Sequence, residues 1–226
     1  RRQSALPGMQ SPIAGAGGLA LVIVCTGTGF NARSQTVTLD DDDPPGWSSF
    51  NTGLNWSDSA PPSAGKHYTA GRILRTPPAK GQYTFGGASL TLVTGGRLRM
   101  ARAGTNTVAD LRFTGGYLVH DAADSAAAHL AGSVTVSNRL VVDCESGVGP
   151  LEIGAAVSGP GEVLIRGTVS DLVTVFTGAP KQYEGATVVD TGATLRLGLT
   201  DAVPSGAGKG NIAVGPGGVL DLYGHA

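Results

Sequence analysis

The sequence predicts an all-β solenoid assembled from short strand–glycine turn–strand repeats, and three observations predict it. Under a shift of 25 residues, Gly185 to Leu197 (GATVVDTGATLRL) falls on Gly210 to Leu222 (GNIAVGPGGVLDL). Gly185 then meets Gly210, Val189 meets Val214, Gly192 meets Gly217, Leu195 meets Leu220 and Leu197 meets Leu222. The same frame fits Ala88 to Met100 (ASLTLVTGGRLRM), with Gly95 at the turn and Leu98 at the position of Leu195 and Leu220. A unit recurring at this length marks a stacked repeat. The second observation is strict alternation. Leu98 and Met100 flank Arg99, Leu111 and Phe113 flank Arg112, and Leu195 and Leu197 flank Arg196. A period of two puts the apolar pair on one face and the polar residue on the other. The third is composition: 36 Gly with only 5% aromatic residues suits glycine corners around a core of small aliphatic layers. A hairpin-rich β-sandwich is the alternative that uses the same glycine turns.

The elements follow in order along the chain. Arg1 and Arg2 precede an apolar run, Ile13 to Cys25, that is too short for a comfortable membrane span. A basic start before such a run reads as a secretory signal over residues 1–32. Gly15, Gly17 and Ala20 inside it fit a nucleotide-binding pattern but lack the preceding strand which that pattern needs. Residues 33–46 contain Asp40 to Asp43, Pro44 and Pro45 and read as a solvated acidic linker, or less naturally as a Ca²⁺ site. Residues 47–82 read as a capping segment in which Trp47 or Trp56 plugs the open end of a stack or offers a stacking platform for carbohydrate. Asn55-Trp56-Ser57 matches the glycosylation sequon.

From residue 83 to 226 the strands follow one another. His120 to Leu130 (HDAADSAAAHL) is the best candidate for a short helix or a protruding loop. His120, Asp124 and His129 could contact a ligand or a partner there, but their spacing is not that of a metal-binding helix. Pro204 to Gly210 (PSGAGKG) lacks both flanking residues of a phosphate loop and reads as a long connection. The net charge of −1 favours neither nucleic acid nor an anionic membrane. Cys144 lies between Asp143 and Glu145, which disfavour a reactive thiolate.

Several stretches together resemble the autotransporter-associated β-strand repeat. These are Gly159-Pro160-Gly161-Glu162-Val163, Tyr183-Glu184-Gly185-Ala186-Thr187, Gly192 with Leu195, and Gly217-Gly218-Val219-Leu220-Asp221-Leu222. Trp47, Asn55, Trp56 and Pro61 are similar to the opening segment of such proteins. Pro180-Lys181-Gln182 departs from the family, which prefers Asn and Thr before the Tyr, and Ala193 is an extra residue after the turn. The resemblance implies a right-handed parallel β-helix from an exported, cell-surface bacterial protein of Gram-negative type. It also implies a longer parent chain or a translocator domain.

The function expected is therefore that of a structural and adhesive outer-membrane passenger, an adhesin with an unknown surface, glycan or protein partner. No catalytic, cofactor or metal site is expected. Two alternatives remain. One is a polysaccharide lyase or hydrolase, with Asp143, Glu145, Glu152, Glu162 and Arg166 along one face. The other is a carbohydrate-binding module using Trp47 and Trp56.

Overall fold

A computed structural model of the chain describes residues 34–145, 148–167 and 172–225. The predicted signal, with Cys25 and its glycine pattern, lies outside the described residues. Those residues contain no helix, and their strands pair in parallel to form a β-helix of about six turns.

The strands begin with β1 (Gln35–Thr38), β2 (Lys66–Ala70), β3 (Ile73–Arg75), β4 (Gly81–Thr84), β5 (Ser89–Leu92) and β6 (Arg97–Met100). They continue with β7 (Gly104–Phe113), β8 (Tyr117–His120), β9 (Ala128–Val136), β10 (Arg139–Cys144), β11 (Leu151–Ile153) and β12 (Ala156–Ser158). The last are β13 (Glu162–Gly167), β14 (Val173–Phe176), β15 (Thr187–Val189), β16 (Thr194–Leu197), β17 (Ile212–Val214) and β18 (Val219–Asp221).

Each coil visits three faces. The first face holds β1, β2, β5, the ends of β7 and β9, and β12. The second is a separate sheet of β3, β6, β8, β10, β13, β15 and β17. The third holds β4, the starts of β7 and β9, β11, β14, β16 and β18. The long strands β7 and β9 bend from the third face to the first, with a register shift between Val108 and Leu111. After β12 the first face loses its regular strand but not its pairing. Gln182 N donates to Val157 O at 2.7 Å and Glu184 N to Gly159 O at 2.8 Å.

Register explains the core. On the second face Leu74, Leu98, Leu118, Val142, Ile165 and Val189 stand in one inward column. On the third, Leu151, Thr174, Leu195 and Leu220 form another. Before the final coil nearly all inward residues are buried, Tyr83 being partly so, and every second residue faces out, as strand geometry requires. A coil buries little by itself, so the continuous columns supply the core that each unit lacks.

The predicted inward position of Leu195 and Leu220 is found, and the 25-residue shift is one full turn there. Gly192 turns the chain from β15 on one sheet to β16 on the other, with φ of 72°, a conformation that favours glycine. Leu98 is inward too, but it lies on the second face, whereas Leu195 and Leu220 lie on the third. The repeated frame thus recurs at a different corner of the coil. Coil length also varies, from 20 residues between Leu98 and Leu118 to 31 between Val37 and Tyr68.

The amino-terminal boundaries differ from the sequence expectation. Strand β1, inside the expected linker, pairs with β2, and β2 and β3 place the first coil within the expected cap. Asp43 is buried rather than solvated. Its carboxylate accepts from Ser49 N and Oγ, Asn55 Nδ2 and Arg75 N. The run fails as a linker because Asp43 anchors the turn that follows it to the first coil. The same network engages the amide of the Asn55 sequon.

Candidate functional site

The two tryptophans have opposite fates. Trp56 is 2% exposed, its indole Nε1 donates to Ser49 O at 2.6 Å, and its ring meets Tyr68 edge-on at 4.8 Å. Phe85 packs against Tyr68, Trp56 and Phe50, which makes an aromatic cluster over the first coil. Trp56 belongs to the core and cannot stack on a ligand. Trp47 is 57% exposed. Its turn is rigid nonetheless: Trp47 N donates to Pro44 O at 3.1 Å, and the neighbouring Ser48 Oγ donates to Arg75 O at 2.7 Å.

Trp47 lines two hollows, which also share Gly46 and Pro78. One, of about 510 Å³, is lined mainly by apolar groups including Leu54, Pro77, Pro78 and Tyr83, together with Asn51 and Thr52. The other, of about 180 Å³, is lined by Arg75, Arg102 and Asp121 as well as Pro78 and Trp47.

From this second hollow an arginine–carboxylate ladder runs over the outer surface of the second face. Register stacks Arg75, Arg99, Val119, Asp143 and Arg166 in one outward column and Arg97, Tyr117 and Val141 in the next. Asp121 Oδ2 accepts from Arg75 at 2.7 Å and from Arg99 at 3.1 Å. Glu145 accepts from Arg99 at 2.5 Å and from Arg97. Arg166 donates to Asp143, which is buried although it faces outward, and this bond holds the guanidinium above its usual basicity. The Arg97 guanidinium lies 4.8 Å from the centre of the Tyr117 ring.

The remaining predicted residues do not converge. His120, expected on a short helix or a protruding loop, instead ends β8 in an inward column between Met100 and Cys144 and is fully buried. Its Nε2 donates to Gly149 O at 2.5 Å and its Nδ1 has no partner, so the ring is neutral, with burial holding its pKa below 6.5. The β period overrode the helix reading of this stretch. Asp124 accepts from Ala103 N and pairs with Lys80 at 2.9 Å, and the hydrogen bond to Lys80 lowers its pKa. His129, on the outer side of β9, contacts Glu152 at 3.1 Å. Among the described residues no group of three or more His, Cys, Asp or Glu is placed to hold a metal ion.

Of the carboxylates considered for catalysis, Asp143 and Glu145 share the second face with Arg166, whereas Glu152 lies on the third. Glu162, at the other end of its strand from Arg166, pairs with Arg139 at 2.6 Å. Cys144 points inward and burial raises its thiol pKa, which keeps it protonated.

Sequence reasoning missed Lys181. It is buried, and its ammonium donates to Ala155 O at 2.9 Å, Thr177 O at 2.7 Å and Ala179 O at 2.8 Å. These carbonyls lie where the first face loses its regular strand. The departure of Pro180-Lys181-Gln182 from the repeat pattern was the available signal.

No known protein family, curated protein or solved structure matches the chain. The site is therefore read from its own geometry.

Proposed function

We propose that this chain is a structural and adhesive segment of an exported bacterial surface protein, a stiff stalk carrying a binding surface, with no catalytic role of its own. The observation that carries this reading is the ladder. Arg75, Arg97, Arg99 and Arg166 are spent on carboxylates of the same chain, and the partners come from different coils. Arg97 and Glu145, for example, are joined across two coils, so the ion pairs tie neighbouring rungs along the stack. Networks of this kind contribute more than isolated surface pairs. A catalytic face uses its carboxylates on substrate, as general acid, base or nucleophile. The resemblance to the autotransporter-associated repeat supports export and surface display.

Adhesion of beads coated with the purified chain tests this reading. Retention on cell or polysaccharide surfaces without release of soluble fragments is the expected result. Depolymerisation of a polysaccharide that is lost in Asp143→Asn would overturn it in favour of an enzyme.

A further inference from the structure

We propose that Trp47 and the two hollows it lines form a binding site for a glycan bearing carboxylate sugars. The inference deepens the adhesive reading and rests on it. Trp47 offers a flat apolar platform, and its backbone is held by bonds to Pro44 and, through Ser48, to Arg75. A platform fixed before the ligand arrives spares the cost of ordering it on binding. The apolar hollow, with Leu54, Pro78 and Tyr83, suits the C–H face of a pyranose ring, and Asn51 and Thr52, which also line it, suit its hydroxyls.

The second hollow supplies charge. Arg75, Arg102 and Asp121 line it, which leaves one net positive charge facing the hollow. Arg75 is committed to Asp121, but the Arg102 side chain is 43% exposed and stands 4.0 Å from Asp124. Its Nε donates to Pro78 O at 3.0 Å, which fixes the guanidinium beside the hollow. A planar guanidinium held there matches a carboxylate. The apolar hollow and the one lined by the arginine share Gly46, Trp47 and Pro78, so a single sugar chain lying on Trp47 meets both. A neutral glycan would use only the platform. A proline-rich peptide would use the aromatic groove and leave the arginine idle.

The test is calorimetric titration of the full chain with oligogalacturonate and with oligomannuronate. The methyl-esterified form of each serves as the uncharged control. The expected result is binding of at least one acidic oligosaccharide, about tenfold weaker for its ester, and weakening with added salt. Trp47→Ala should abolish binding with an unchanged melting midpoint, and Trp47→Phe should restore part of it. Arg102→Gln should remove the preference for the acid over the ester. Failure of both acids to bind overturns the proposal, as do equal affinities for acid and ester, tighter binding of a polyproline peptide, or an unaffected Trp47→Ala. Bead adhesion that persists in Trp47→Ala would overturn this site while leaving the adhesive reading intact.

Discussion

Leu195 and Leu220 are register partners on adjacent coils, one full turn apart, yet Leu195 is completely buried and Leu220 only partly. The difference is the number of neighbours. Leu195 has Thr174 on one side and Leu220 on the other, whereas Leu220 has a partner on one side only. Leu195→Ala should cost on the order of 2–5 kcal/mol in urea unfolding, because a layered core cannot close the hole. Leu220→Ala should cost less than half of that. Arg196→Ala, which removes a half-exposed contact to Asp221, should cost little by comparison.

Gly185 is a close-approach glycine. A Cβ there would lie 2.3 Å from Gly161 O, and a Cβ at Gly210 would meet Gly185 in the same way. The three form a column in which successive coils touch through their backbones. Gly185→Ala should destabilise by on the order of 1–3 kcal/mol or more, since the contact is backbone and cannot swing aside. A thermal or chemical melt indistinguishable from the parent would contradict this packing.

Burial pushes the Lys181 ammonium down from 10.5 to about 8, against the pull of its three carbonyl acceptors. Between pH 8 and 10.5 the unfolded chain then holds more protons than the folded one, so stability should rise with pH across that window. Lys181→Met should abolish this slope. It should also lower stability by about 1–3 kcal/mol, because buried carbonyls lose their donor. Urea midpoints of both proteins across the window check the two effects together.

His120 works in the opposite range. Its folded pKa lies below 6.5, so on acidification the unfolded chain takes up this proton first and stability should fall as pH drops below 6.5. His120→Leu should flatten that part of the pH profile. Followed by its ring proton shifts, His120 in the folded parent should titrate with a midpoint below 6.5.

Much of the solenoid was legible because its two signals are local. Alternation around Arg196 and the glycine at 192 sufficed to place Leu195 over Leu220. The corner was not legible. Ala88 to Met100 shares its frame with Gly185 to Leu197, down to Gly95 on Gly192 and Leu98-Arg99 on Leu195-Arg196, yet the match compares the first corner with the second, since every corner needs the same glycine and the same alternation. Only the hydrogen-bond register separates them. The tryptophans fail for a related reason. Trp47 and Trp56 are equal in composition, and their burial depends on Asp43 drawing Ser49 and Asn55 inward, a long-range polar network that no period reveals. His120 was misplaced because the Ala-rich run after it weighs toward helix, while its own position continues the alternation of Leu118.

The final described coil has a neighbour on one side alone. Ile212, Val214 and Leu222 are exposed there, although Ile212 and Val214 pair with the buried Thr187 and Val189 one coil earlier. In a one-dimensional stack the free energy of opening a coil depends on how many interfaces must be broken. Amide hydrogen exchange should therefore be graded along the axis. The amides of Ile212–Val214 and Val219–Asp221 should exchange first, and those of Leu118 and Val142 last. This stretch of chain would open as a zip does, starting at the coil of Ile212–Val214 and Val219–Asp221, well before its global melting is visible.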